Sequence, residues 1–157
     1  MKEPDWLDRL TALDAEKQRR TEELQRKDRL RFENLSALWR ALRTELKTEA
    51  ERYQQRFPSN RLRLVDQEFS RLVINTEAYP AVSLVVSCCG ETNKPSVEYE
   101  YTTVKSYDVP PETENGRLVV DVKGDEVYLR LPDGTDFPHP KNAAIFLLER
   151  VVKTFHD

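Results

Sequence analysis

The side chains able to do chemistry are few and poorly grouped. Cys88 and Cys89 are adjacent, and the two histidines are His139 and His156. Neighbours on a strand point to opposite faces, so a bridge between adjacent cysteines demands severe backbone strain. Two thiols without histidines at ligand spacing make no zinc pattern. The expectation is one buried small hydrophobe and one half-exposed thiol in a reducing compartment. Catalysis by Cys89 needs a base beside it, and the spacing supplies none. His139 stands in a proline-rich loop and His156 near the end of the chain.

Glu98 and Glu100 fall on one face of a strand, about 7 Å apart at ~3.3 Å per residue. With Asp121 they could hold a cation or serve acid–base work. The simpler reading is a solvated outer sheet face. Gly90, Gly116, Gly124 and Gly134 stand alone, with no strand–glycine–helix junction, so no phosphate loop is recognisable. Pro132-Asp133-Gly134 is a turn signature. No catalytic residue, metal ligand or cofactor is assigned on this reading, and a non-enzyme is expected.

The elements that carry these residues divide the chain in two. Of 157 residues, 25 are Lys or Arg and 28 are Asp or Glu, a net charge of −3. Residues 1–60 hold 14 basic and 12 acidic residues, and residues 61–157 hold 11 and 16. Neither part carries the strong basic field that would indicate nucleic acid or an anionic membrane. Lys17, Arg19, Arg20, Arg26, Lys27, Arg29 and Arg31 are interleaved with Glu16, Glu22, Glu23 and Asp28. Pairs such as Glu22–Arg26 and Glu23–Lys27 have i,i+4 spacing and make a self-neutralising helix. Aromatic residues are not interleaved there, so nucleic acid is not the expected partner. No run approaches the roughly 18–20 apolar residues of a membrane span. Met1 to Trp6 lack the apolar run of a signal peptide, and a cytoplasmic protein is expected.

From Asp5 to Phe57 there is neither proline nor glycine, while Pro4 and Pro58 punctuate the ends. At 100° per residue, Phe32, Leu35, Leu38, Trp39, Leu42, Leu46, Ala50, Tyr53 and Phe57 fall in a stripe roughly 120° wide. Trp6, Leu10, Leu13 and Leu24 continue that stripe, with Lys17, Arg20 and Thr21 set into it. A helix of this length runs about 80 Å, yet a body of ~100 residues is only some 35 Å across. The body covers roughly the stretch from Phe32 onward. Residues 1–31 are therefore read as a helical arm that projects, meets another chain, or folds back with Asn34 or Ser36 as a new N-cap.

The remainder alternates with period two. Segments 61–64, 72–75, 82–88, 97–103, 118–122 and 127–131 each offer one apolar and one polar face. Lys123-Gly124-Asp125 reads as a hairpin turn, and 108–116 as a flexible connector. Pro140 opens a last helix whose apolar face is Ala144, Leu148, Val151, Val152 and Phe155. The predicted fold class is α+β in two layers, an antiparallel five- or six-stranded meander with both helices on one face. Residues 32–157 form its single domain.

The leading functional expectation is a non-enzymatic protein–protein interaction or oligomerisation protein. Trp6, Leu10, Leu13 and Leu24 of the arm bind the protein itself or another chain. Lys17 and Arg20 weaken the seam, so a modest dimer or hetero-complex is expected in place of a long coiled coil. The alternative is a small-ligand-binding α+β domain with a cavity between sheet and helix, where Tyr99 or Tyr101 supplies a polar handle.

Overall fold

The computed structural model describes residues 5–88 and 95–157. Helix α1 runs unbroken from Trp6 to Arg56. A meander of β1 (Leu62–Glu68), β2 (Arg71–Thr76), β3 (Ala81–Cys88), β4 (Ser96–Val104), β5 (Glu112–Lys123), β6 (Glu126–Arg130) and β7 (Asp136–Phe137) follows. Helix α2 (Pro140–Val152) and a short 3-10 turn end the chain. The strands form one sheet in sequence order, every neighbouring pair antiparallel.

The α+β class and the antiparallel meander are as expected, and the strand count is one higher. β7 is two residues long and pairs Phe137 with Leu129 and Asp136 with Arg130. So short a strand shows no alternation. A turn sets it up, in which Asp133 accepts from the Thr135 N–H and hydroxyl. The connector reading of 108–116 fails at its C-terminal half. Glu112 to Gly116 belong to β5 and pair with β4 from Thr103 to Tyr99. Polar residues there are exposed on an edge-to-edge ladder whose backbone bonds leave no mark in hydropathy.

The register places the inward residues in layers. Leu72 opposes Val86, Ile74 opposes Leu84, Leu84 opposes Tyr101, Val97 opposes Leu118, and Val120 opposes Leu129. These side chains form one core with Trp39, Leu42, Leu46 and Ala50 of α1, and Ala143, Ala144, Leu147, Leu148 and Val151 of α2. Both helices thus pack on the same sheet face. Asp66 belongs to that face too, and it meets Arg43 and Lys47 of α1. The β1–β2 turn is pinned to α1 because Trp39 Nε1 and Arg43 Nη1 both donate to the Phe69 carbonyl, at 2.7 and 2.8 Å. The guanidinium groups of Arg40 and Arg43 also sit over the Phe69 ring.

At its C-terminus α1 is closed by side chains. Gln54 donates to the Asn60 carbonyl and accepts from the Leu62 N–H. Tyr53 Oη lies 2.8 Å from His156 Nε2, and Phe57 packs edge-on against the same imidazole. The end of the chain is thereby fastened to the end of the first helix.

Leu42 is fully buried and Leu24 is 60% exposed on the same helix. Leu42→Ala or Leu84→Ala should cost about 2–5 kcal/mol through lost burial and a cavity. Leu24→Ala should change stability by less than ~0.5 kcal/mol. Urea titrations of the three variants check this order.

Candidate functional site

Residues 5–25 are exposed throughout, and the first half-buried position of α1 is Arg26. About 20 residues, or ~30 Å of helix, therefore stand clear of the body. Trp6 is 61% exposed, Leu10 47%, Leu13 63% and Leu24 60%, whereas Trp39, Leu42 and Leu46 are at 0%. One apolar stripe runs the length of α1 and is covered along only part of it. Leu7, 52% exposed, widens the stripe at its start; its position beside Trp6 was the signal, and the sequence reading passed over it.

The overhang is continuous with the covered part. The helix passes through Asn34 and Ser36 without a break, and Asn34 Nδ2 donates to the Leu30 carbonyl within it. There is no fold-back. Ion pairs within the helix run Arg20 to Glu16, Arg26 to Glu23 and Arg31 to Asp28 at 2.7–2.8 Å. Glu23 thus partners Arg26 at i,i+3 in place of Lys27. Such exposed, solvent-screened pairs contribute little, too little to hold a lone helix, which draws most of its stability from a packed face.

Two contacts mark where the arm leaves the body. Arg26 Nη1 reaches Asp125 Oδ1 at 3.1 Å, and its Nη2 donates to the Gly124 carbonyl, both at the β5–β6 turn. One turn later Arg31 Nη2 donates to Asp121 Oδ1 at 3.1 Å, and Arg130 Nη1 donates to Asp121 Oδ2 at 2.7 Å. Sequence spacing could not reveal the contacts made by Arg26 and Arg31, since their partners on the sheet are some ninety or more positions away. Asp121 is therefore no free carboxylate on a wet face. Burial pushes its carboxyl up, but the Val122 N–H, Arg31 and Arg130 outweigh this and hold it below its ordinary value of 3.8.

The other groups considered for chemistry do not assemble around a common point. Glu98 and Glu100 line an open cleft of about 670 Å³ on the outer sheet face with Arg71, Ser87, Asn115 and Arg117, while Asp121 is committed to its two arginines. Among the described residues no group of three or more His, Cys, Asp or Glu could hold a metal ion. His139 is the N-cap of α2 and its side chain makes no capping bond. Cys88 is buried and disulfide-bonded, which corrects the expectation of thiols and removes the thiol argument for a reducing compartment. Strand alternation argued against a bridge, and Cys88 is the last described residue of β3. Cys89 lies outside the described residues.

Tyr101 is 3% exposed, and its hydroxyl donates to the Leu147 carbonyl at 2.7 Å. Burial, aided by the neighbouring Tyr99, pushes its ionisation far above the usual range. Tyr99 is half-buried, edge-on to Tyr101 and Phe146, with its ring end lying over Gly116. A Cβ at position 116 would collide with that hydroxyl, so glycine leaves room for the ring.

Compared with protein-family models, curated proteins and solved structures, the chain matches none. No helix among the described residues is long and apolar enough to cross a membrane.

The Arg31–Asp121–Arg130 contact makes a signed pH prediction. A carboxyl whose folded value is depressed stabilises above its unfolded value and loses that stabilisation as pH falls through the folded one. Asp121→Asn should cost ~1–3 kcal/mol at pH 7. The gap to the unsubstituted chain should narrow as pH drops below 3.8. Urea titrations at pH 7, 4 and 3 measure it.

Proposed function

We propose that this chain is a non-enzymatic protein–protein interaction or oligomerisation protein that works through its N-terminal helical arm. Residues 1–31 are the arm and residues 32–157 the single α+β domain that carries it. Trp6, Leu10, Leu13 and Leu24 are the contact residues. One observation supports this most: these four are exposed on the same helix face that, further along, buries Trp39, Leu42 and Leu46 completely. Covering side chains of this size is worth roughly 1.5–3 kcal/mol each. A helix end that presents four of them in line, uncovered by any of the described residues, suits a partner surface. The partner is the chain itself or another protein, not nucleic acid, a membrane or a cofactor.

The alternative, a ligand cavity between sheet and helix, draws less support. The polar handle of Tyr101 is already bonded to Leu147, and the residues between the layers are packed as one core.

A photoreactive phenylalanine analogue placed at Leu10 tests the reading in the cells that make the protein. Discrete adducts, either of doubled mass or with another polypeptide, are expected from position 10. They should be lost when Trp6→Glu and Leu24→Glu are added, and absent from the probe at Ala12 on the opposite side. Adducts that ignore position, or none at all, contradict an arm that binds proteins.

A further inference from the structure

We infer that the arm's partner is a second copy of this chain, and that the two arms pack antiparallel over residues 6–24. The inference rests on the reading of the arm as a contact element and adds the occupant and its orientation. Trp6, Leu10, Leu13, Lys17, Arg20 and Leu24 are spaced 4, 3, 4, 3 and 4 residues apart, the a/d spacing of a two-helix seam. Leu10, Lys17 and Leu24 take one of the two heptad positions, and Trp6, Leu13 and Arg20 the other. The seam begins with the first helical residue and ends just before Arg26, where the body begins.

Orientation follows from the two cations. In a parallel, in-register pair each seam residue faces its own copy. Lys17 would then face Lys17 and Arg20 would face Arg20 in consecutive layers, with like charges directly opposed in a desolvated seam. An antiparallel pair matches one heptad position against the other. Centred at Ala15, it sets Trp6 against Leu24, Leu10 against Arg20 and Leu13 against Lys17, each twice over six layers. The aliphatic stems of Lys17 and Arg20 then cover leucines while their charged ends reach outward. The Lys17 ammonium emerges within one turn of Asp14 and Glu16 of the second copy, and Arg9 falls within two residues of the level of Glu23. The cations that spoil a parallel seam thus become its covering in an antiparallel one.

The ends of the overlap agree with the shape of the arm. A shallow depression beside Leu24 is lined by Arg19, Arg20, Glu23 and Arg26. The register delivers the indole of the second copy's Trp6 to this place, next to the β5–β6 turn that Arg26 grips through Asp125. The overlap uses nearly the whole exposed stretch of 5–25 and ends on each copy where half-buried positions begin, at Arg26.

Sedimentation equilibrium of the purified full chain, with pulsed electron resonance on a ketone-linked nitroxide at Gln25, tests the proposal without using the cysteines. A reversible dimer is expected, with a separation between the two labels of about 30 Å, because positions 25 and 25 lie 20 residues apart along an antiparallel pair at 1.5 Å each. A parallel pair would bring them within about 10–15 Å, the distance between two packed helices plus the linkers. Leu10→Glu with Leu13→Glu should weaken association at least tenfold while the urea midpoint stays in place, since both residues are exposed in the single chain. A chain that stays monomeric at several hundred micromolar overturns the proposal, as does a dimer with the short distance. If a monomeric chain still yields adducts with another polypeptide from position 10, the arm remains a contact element and only the second copy is wrong.

Discussion

Trp39 fixes how the first helix is turned about its own axis. It is fully buried, and its indole N–H is committed to the Phe69 carbonyl of the β1–β2 turn. Leu42 and Leu46 lock the next turns into the same core. A helix held at three successive turns cannot roll, because rolling would expose the indole and leave the Phe69 carbonyl with one fewer donor. The orientation of every residue further up the helix follows from this grip, as far as the helix stays intact. Trp6, Leu10, Leu13 and Leu24 therefore point to the side on which the body lies, but beyond the body's reach.

Stability is divided along the helix in consequence. From Trp39 to Tyr53 the core, the Asp66 contacts with Arg43 and Lys47, and the Tyr53–His156 bond all hold α1 in place. The junction at Arg26 and Arg31 is polar and partly wet, fastened through Asp125 and Asp121. Beyond it the described residues are held by backbone bonds, ion pairs and side-chain hydrogen bonds within the helix itself. Free energies of local opening track such differences in packing. The arm is the low-stability end of a helix whose other end belongs to the core, and a partner covering the stripe would extend the packed part upward. On the proposed reading, the arm would couple its own order to association.

Much of the fold could be read from residue patterns because its physics is local or periodic. Strand alternation located the inward faces of β2 to β6, and the absence of proline and glycine between Asp5 and Phe57 marked the long helix. The two-residue β7, the pairing of Glu112 to Gly116 with β4, and the disulfide at Cys88 were missed. In each case the deciding bond is made by backbone atoms or by a residue at a strand end, where hydropathy carries no signal. Asp121 was misplaced for a different reason. Alternation gave its sheet face correctly, but not that Arg31 of α1 would reach around to it across 90 positions. The exposed stripe of the arm was legible as a mismatch of lengths, since it needed only the rise per residue and the size of the body. The grip of Arg26 on the β5–β6 turn was not legible, because it depends on which end of the sheet lies under the helix.

Amide hydrogen exchange along α1, followed against protein concentration, tests most directly the claim that the arm's stripe is ordered and covered by association. The account predicts that residues 6–24 exchange quickly in the dilute chain and slow progressively as concentration rises, while residues 39–50 are protected equally throughout. Protection of 6–24 that is already complete in the dilute monomer would contradict it, and so would fast exchange there at every concentration.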